Sequence, residues 1–145
     1  MQYRTIGSKS SHQQEQVSAI GLGTVKIGRN QQVKYRSQFE IPNDQAVLEL
    51  LNTARELGIN LLDTAPAYGS SEQRLGKLLP QIGNRHDWHI MSKAGEEFEN
   101  GESSFNFTPE HIELSIKRSL KRLNTDYLDT VLIHSDGRDL ELKNN

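Results

Sequence analysis

The amino-acid sequence predicts an α/β fold built on a parallel sheet. Four short apolar runs, each long enough for one buried strand, are separated by three segments with helical periodicity. Such alternation is typical of parallel strands joined by right-handed crossovers. Over 145 residues it fits either a small doubly wound sheet or the first half of an eight-stranded barrel, which takes about 250 residues when whole.

The overall composition describes one globular domain. Hydrophobic residues make up 34% and charged residues 25% of the chain, as in soluble proteins. The net charge of -2 gives no electrostatic basis for binding nucleic acid or an anionic membrane. Without cysteine the sequence offers no disulfide, thiolate zinc site or cysteine nucleophile. Its polar N-terminus and short apolar runs lead us to expect a cytoplasmic protein.

The N-terminus predicts a β-hairpin over residues 1–16, followed by the first core strand. Two short segments, 2–8 and 17–24, flank a polar tip at 9–16. The second segment carries the apolar residues of a core strand. We therefore place the first strand of the sheet at 17–24.

Two glycines in this strand, Gly21 and Gly23, invite comparison with a dinucleotide-binding fingerprint. That motif needs a third glycine at position 26 and a helix that starts at once. Position 26 is Lys26, and we expect no helix directly after the strand, so the Rossmann interpretation is rejected. Glycines in a strand more often let a ligand or another backbone approach closely.

The first helix follows a polar segment, 28–42, that has no periodicity and is predicted to be a loop. Pro42 precedes a helix start at Asn43 or Asp44, and Gly58 ends the helix. Its apolar stripe has a spacing close to 3.6 residues and consists of Ala46, Val47, Leu50, Leu51, Ala54 and Leu57.

The second and third helices carry recognisable start signals. Ser70 and Gln73 have the spacing of a capping box, and Pro80 ends that helix. Thr108 and Pro109 supply a cap hydroxyl and a proline at the first helical position. The predicted core face of this third helix is Ile112, Ile116, Leu120 and Leu123.

The remaining strands are predicted at 59–63, 88–93 and 127–134, with a polar tail at 135–145. A long loop at 94–107 separates the third strand from the third helix. Acidic runs of this kind usually face solvent, although loops of this length more often have a function than short connectors do. The glutamates of this loop are Glu96, Glu97, Glu99 and Glu102, which alternate with Phe98, Phe105 and Phe107.

Three predicted strands end in an ionisable residue: Asp63, Lys93 and His134. In a parallel sheet all three lie at the carboxyl edge, where such folds place their sites, and Tyr68 lies in the loop above that edge. Each residue has an ordinary structural explanation alone, but their agreement on one edge favours a site. The other histidines have no ligand spacing: His12, His86, His89 and His111. We therefore predict no metal site.

The chemistry that needs these four residues is proton delivery to a carbonyl. A phenol with a pKa near about 10 is a poor acid at neutral pH, and a neighbouring ammonium such as Lys93 lowers that pKa. Asp63 would hold Lys93 charged, and His134 would orient the substrate oxygen. With no nucleophile pair or metal cluster predicted, a hydride from a bound nicotinamide is the natural attacking group.

These residues lie in motifs that resemble the aldo-keto reductase family, NADPH-dependent oxidoreductases built on a TIM-type (α/β)8 barrel. The resemblance runs through nearly all of the chain and corresponds to the N-terminal half of the family. The matching stretches are Gly21 to Thr24, Gly58 to Gly69, Ser92 to Gly95, the helix at 109–123 and Leu132 to His134.

The resemblance implies a role for each site residue. The family's tetrad falls on Asp63, Tyr68, Lys93 and His134. Tyr68 then corresponds to the proton donor, and His134 to a substrate contact. Gly23, Thr24 and Asp63 correspond to contacts with the nicotinamide end of NADPH. The N-terminal hairpin is similar to the one that plugs the barrel floor in this family.

Three functions follow from these observations as hypotheses. The first is an NADPH-dependent oxidoreductase that interconverts aldehydes or ketones and alcohols, on a small-molecule carbonyl substrate. The second is a non-catalytic fragment or binding module of the same family. The third, an unrelated half-barrel or flavodoxin-like sheet that binds a phosphate compound, is disfavoured because no glycine-rich phosphate loop follows any strand. Since the sequence stops just after the fourth strand, the open sheet edges are also candidate surfaces for self-association.

Overall fold

The computed structural model of the chain describes residues 1–7 and 15–137. Its strands are β1 (Tyr3–Ile6), β2 (Glu15–Ser18), β3 (Gly21–Gly23), β4 (Leu61–Asp63), β5 (His89–Ala94), β6 (Glu96–Glu99), β7 (Glu102–Phe105) and β8 (Thr130–Ile133). Its α-helices are α1 (Val25–Gly28), α2 (Asp44–Glu56), α3 (Ser71–Leu78) and α4 (Pro109–Leu123). Most of the predicted hairpin tip and of the predicted C-terminal tail lies outside the described residues.

The centre of the fold is a four-stranded parallel sheet with the strand order β3-β4-β5-β8. Gly23 pairs with Asp63 and Asp63 with Met91, while Lys93 pairs with Leu132 on the next strand. These neighbouring parallel strands therefore bring their carboxyl ends to one edge. The predicted parallel α/β class is confirmed, although the second and fourth strands are shorter at their amino ends than predicted. The hydrophobic core between the sheet and the helices consists of Ile27, Val47, Leu51, Leu62, Leu75, Leu78, Leu79, Ile82, Trp88, Ile90 and Leu123.

The N-terminal hairpin is present, but its second strand was predicted wrongly. β1 pairs antiparallel with β2, with Tyr3 opposite Ser18. β2 begins inside the predicted tip, and the first core strand is a separate element of three residues at β3. The break follows from Asn60, whose Oδ1 accepts from the Ser18 backbone N–H at 2.7 Å, and from the Ser18 hydroxyl, which donates to the Ile20 carbonyl at 2.7 Å. These bonds turn the chain out of the hairpin and into the sheet.

A one-turn helix, α1, directly follows β3, so the prediction of no helix there is wrong. Four residues are too few to show a helical period in the sequence. The carbonyl of Gly28 at its end accepts from the Ser70 backbone N–H at 3.2 Å, which ties α1 to the start of α3. Lys26 still occupies the third fingerprint position, so the rejection of a Rossmann motif is unaffected.

All three predicted helix starts are as expected, since Ser70 directly precedes α3. Asn43 caps α2 by accepting from the Ala46 backbone N–H at 2.9 Å, and Thr108 caps α4 by accepting from the His111 backbone N–H at 3.3 Å. The capping box predicted at Ser70 is wrong, because its side chain makes no cap hydrogen bond. The buried first turn of α3 is instead held from outside the helix.

The buried faces of α2 and α4 differ from the predicted stripes. On α2 only Val47, Leu51 and Ala54 are buried, and the predicted positions Leu50 and Leu57 are exposed.

On α4 the buried residues are Ser115, Ser119 and Leu123, while Ile112, Ile116 and Leu120 are half-buried. The reason is Gly76 on α3: a Cβ there would lie 2.2 Å from the Arg122 carbonyl oxygen. α3 and α4 therefore approach closely at this point. The buried Ser115 hydroxyl donates to Glu97 on β6 at 3.2 Å, a contact that an apolar stripe cannot predict.

The segment predicted as a long loop at 94–107 contains the antiparallel hairpin β6–β7. Asn100 and Gly101 form its turn with φ values of 53° and 83°. Both signs are positive, as a type I′ turn requires, and Asn-Gly is the strongest short-range hairpin signal in a sequence. The hairpin rises from the carboxyl edge of the sheet directly after β5.

β8 is one of the two edge strands of the sheet, with β3 at the other edge, and it is unusually accessible. Val131, Leu132 and Ile133 are 39%, 41% and 49% exposed, although parallel strands are normally covered on both faces. Within the described residues, no helix is long and apolar enough to cross a membrane.

We expect residues 1–145 expressed alone to self-associate through this strand, because an uncovered apolar edge is a template for strand pairing. Replacing Leu132 by lysine should lower the association, measured as the apparent mass in size-exclusion chromatography over a range of concentrations. The matched control is Leu114→Lys, at an exposed leucine on α4, which should leave the association as it is. A wild-type chain that elutes as a monomer at every concentration would contradict this expectation.

Candidate active site

Four side chains from different elements meet at the carboxyl edge of the sheet. Asp63 ends β4, Lys93 lies near the end of β5, and His134 directly follows β8. Tyr68 lies in the loop between β4 and α3. The structure therefore brings together all four residues that the sequence placed at this edge.

Lys93 is the centre of this group and is only 9% exposed. Its Nζ donates to Asp63 Oδ1 at 2.6 Å, to the Thr64 carbonyl at 3.1 Å and to the Tyr68 hydroxyl oxygen at 3.1 Å. An ammonium has three N–H donors, so all of them have a partner. This arrangement fixes the lysine between the carboxylate and the phenol.

A hydrogen-bonded chain of buried hydroxyl groups fixes the loop that carries Tyr68. Ser71 Oγ donates to Thr24 Oγ1 at 2.8 Å and lies 3.1 Å from Thr64 Oγ1. Thr24 Oγ1 in turn donates to the Asp63 carbonyl at 2.8 Å. The Tyr68 backbone N–H closes a turn on the Ala65 carbonyl at 3.0 Å. These bonds fix the end of β4 and the loop as one unit.

The Tyr68 hydroxyl accepts a hydrogen bond from Lys93 Nζ at 3.1 Å and donates a long one to Asp63 Oδ1 at 3.4 Å. A bound ligand can replace Asp63 as the acceptor of this long hydrogen bond. Burial raises the pKa of the phenol, and the hydrogen bond and charge of Lys93 oppose that rise. The sequence argument that Lys93 lowers the pKa thus describes one contribution, which burial outweighs in this structure.

His134 lies beside Tyr68, with ring centroids 5.8 Å apart in an edge-to-face arrangement. Its Nε2 is 3.1 Å from Glu96 Oε2. Burial lowers the pKa of His134, with the charge of Glu96 acting in the opposite direction. Burial of the ring therefore favours its neutral form.

A cleft of about 630 Å³ opens above these residues. Tyr68 and His134 lie in its wall, together with residues of the segment after α1 and of the hairpin β6–β7. The further lining residues include both apolar and charged side chains: Val25, Arg29, Val33, Lys34, Tyr35, Glu96, Phe105 and Asp136. The cleft is large enough for a small organic ligand.

A second cluster with metal-binding side chains lies at the opposite end of the sheet. Glu15, His89 and Asp129 each place one ligand atom within 4.8 Å of the others. The sequence showed no ligand spacing because these residues are far apart along the chain. Their polar atoms already have protein partners: Glu15 Oε2 lies 2.8 Å from His89 Nδ1, and Asp129 Oδ2 accepts from Arg85 at 2.7 Å.

The comparison with known protein families decides the relationship. The sequence pattern of the Aldo/keto reductase family matches residues 19–144. The chain belongs to this family. It is 32% identical over 121 residues to the aldo-keto reductase YhdN of Bacillus subtilis (strain 168), and 37% identical over 122 residues to L-galactose dehydrogenase of Arabidopsis thaliana.

A solved structure of an aldo-keto reductase matches the fold closely. PA4992, a proposed aldo-keto reductase from Pseudomonas aeruginosa, is 50% identical to this chain and superimposes with a TM-score of 0.83. The match covers 99% of this chain and 51% of PA4992. The alignments with YhdN and L-galactose dehydrogenase cover 82% and 81% of this chain and 34% of each relative. The chain thus spans about half of the solved structure and about a third of these curated relatives, and the expectation of half an aldo-keto reductase barrel is confirmed.

The residues predicted to contact the nicotinamide of an aldo-keto reductase cofactor differ in how well they fit. A carbon atom added at Gly23 would meet nothing within 4 Å, so the end of β3 is open to a ligand. The Asp63 side chain beside it is 29% exposed. Thr24 is buried, and its hydroxyl is already bonded to Asp63 and Ser71. Gly23 and Asp63 therefore fit a cofactor contact, and the Thr24 side chain fits a supporting role.

Sequence reasoning missed Arg29, Glu96 and Ser103, which join this site from two other segments. The structure shows Glu96 in contact with His134, although acidic runs of its kind were expected to be solvated. Asn100 and Gly101 were the available signal, because a hairpin at this point places Glu96 on a strand at the site. No sequence signal identifies Arg29 as a buried residue.

Proposed function

We propose that this chain carries the catalytic side chains of an NADPH-dependent oxidoreductase that interconverts aldehydes or ketones and alcohols. The observation that carries the proposal is the Lys93 ammonium, placed 2.6 Å from Asp63 Oδ1 and 3.1 Å from the hydroxyl of Tyr68, which lines the cleft. Membership of the aldo/keto reductase family supports the same chemistry.

In the direction of reduction, the proton comes from Tyr68. A nicotinamide held at Gly23 and Asp63 would supply the hydride for the carbonyl carbon. The Tyr68 O–H donates its proton to the carbonyl oxygen, which completes the alcohol. Lys93 donates to the phenol oxygen and stabilises the phenolate that remains. Asp63 accepts from Lys93 and keeps it charged and in place.

His134 and the open end of β3 provide the binding contacts. His134 lines the same cleft as Tyr68, so its ring is placed to contact the carbonyl oxygen. Gly23 and Asp63 would line the nicotinamide end of the cofactor. In the alcohol-oxidation direction the Tyr68 phenolate takes up the proton instead, by microscopic reversibility.

The test compares two proteins. One is the chain of residues 1–145, and the other, called the joined protein below, is this chain fused to the part of PA4992 that the chain does not cover. Both are assayed with NADPH and NADH for reduction of 4-nitrobenzaldehyde, and with NADP for oxidation of L-galactose, because one relative carries the latter name. We expect carbonyl reduction by the joined protein. Cofactor binding without turnover in both proteins would overturn the proposal and indicate a binding module.

A further inference from the structure

Glu96 connects His134 to two other parts of the fold. Its Oε2 lies 3.1 Å from His134 Nε2. Its Oε1 accepts from Ser103 Oγ at 2.7 Å and from Arg29 at 3.4 Å. The carboxylate is 13% exposed. Because both of its oxygens have partners, it is held in one orientation.

The Glu96 contact determines which nitrogen of His134 carries the proton. A carboxylate is only an acceptor, so the short contact with Nε2 requires an N–H there. His134 Nδ1 is buried and, among the described residues, has no hydrogen-bond partner. Protonating the ring would therefore bury an unpartnered N–H at Nδ1, which costs free energy. The geometry selects the neutral Nε2–H tautomer.

Arg29, which lies outside the hairpin, also holds Glu96 in position. It is 8% exposed and donates to the carbonyls of Ala67, Gln31 and Gln32. Its guanidinium lies 3.5 Å from the ring centroid of Phe98 on β6. One buried arginine thus joins the Tyr68 loop, the segment after α1 and the hairpin, and so relates the position of Glu96 to that of Tyr68.

We propose that Glu96 is a positioning residue for His134: it fixes the ring orientation and the Nε2–H tautomer before substrate binds, and Arg29 and Ser103 hold its carboxylate in place. The inference rests on the proposed function for its catalytic meaning. Its structural content, the tautomer and its cause, is measurable without turnover.

The charged groups around His134 set the expected direction of its titration. Burial lowers the pKa of the ring, Glu96 raises it, Lys93 lowers it, Asp63 raises it and Arg29 lowers it. Four further ionisable side chains line the cleft with it: Lys34, Tyr35, Tyr68 and Asp136. Removing the charge of Glu96 deletes a raising contribution, so the pKa of His134 should fall further.

The first test reads the ring directly, by solid-state ¹⁵N NMR of histidine-labelled chain, a method that tolerates self-association. The His134 signals are assigned by their loss in His134→Gln. We expect protonated Nε2 and bare Nδ1 at pH 7 in the wild type. Glu96→Gln should keep this tautomer, because its amide oxygen still accepts, while the pKa falls. Glu96→Ala should give a mixture of tautomers.

Glu99→Gln is the matched control, because it removes one negative charge from an exposed position of the same strand. It should change neither the tautomer nor the titration of His134. If Glu96→Gln leaves the titration of His134 unchanged, or Glu96→Ala gives the wild-type tautomer, the inference is wrong. The titration of the glutamine variant decides this even if the alanine variant does not fold.

The second test uses the joined protein. Glu96→Ala should lower kcat by about tenfold through misplacement of the ring, with the KM for NADPH unchanged, and Glu96→Gln should recover most of kcat with a shifted pH profile. Equal losses in Glu96→Ala and Glu96→Gln, with no shift in pH profile, would overturn the positioning role. A joined protein without any wild-type activity would count against the proposed function, and the NMR result would still decide the tautomer.

Discussion

Tyr68→Phe in the joined protein is expected to reduce carbonyl turnover by about a hundredfold or more, because it removes the proton donor. The ring stays in place beside His134, since the edge-to-face contact does not involve the hydroxyl. Lys93 keeps its bonds to Asp63 and to the Thr64 carbonyl. The loss should therefore appear in kcat, measured by NADPH absorbance, while NADPH affinity stays within about twofold.

Tyr127→Phe is the control for this variant. It removes the hydroxyl of an exposed tyrosine that lies far from the cleft and packs against Arg85. Its turnover should equal that of the wild type. If Tyr68→Phe retains turnover within about twofold of the wild type, Tyr68 is not the acid.

Lys93→Met is expected to cause a second large loss, again about a hundredfold or more in kcat. The variant removes the only contact that opposes the effect of burial on the phenol, so the pKa of Tyr68 should rise further above its ordinary value. It also leaves Asp63 without its 2.6 Å partner. Both effects act on the chemical step more than on substrate entry.

The pH dependence of Lys93→Met has a definite sign. Reduction needs protonated Tyr68 and declines as the pH rises through its pKa, so the alkaline limb should move to higher pH. Alcohol oxidation needs the phenolate, so its rising limb should also move to higher pH. The control is Lys117→Met, an exposed lysine on α4 whose partner is Glu113. A Lys93→Met profile that moves towards lower pH would contradict the proposed role of the ammonium.

The fold was predictable where the residues of one helix or strand themselves indicate its start, its end or its type. Thr108 followed by Pro109 defines the start of α4, and the apolar run before Asp63 defines β4. α1 was missed because four residues have no period. The buried face of α4 was missed because it includes two polar residues, Ser115 and Ser119. These features depend on tertiary packing, which local sequence patterns do not report.

The site residues were predictable where they follow a strand of the parallel sheet. Asp63, Lys93 and His134 follow strands, and parallel strands end at one edge, so their meeting followed from topology. Arg29 and Glu96 reach the site from irregular or hairpin segments far apart in the chain. Their convergence depends on how a hairpin and a loop pack above the sheet, for which the sequence has no period.

The central claim is that these four side chains deliver a proton to a carbonyl oxygen while a nicotinamide delivers a hydride to its carbon. It is tested most directly by following the hydride with NADPH that carries deuterium on both hydrogens of C4. The joined protein should convert 4-nitrobenzaldehyde to an alcohol with one deuterium on the carbinol carbon, seen by mass spectrometry, and Tyr68→Phe should form almost none of it. An alcohol without deuterium, or equal deuterated product from Tyr68→Phe, would contradict the account.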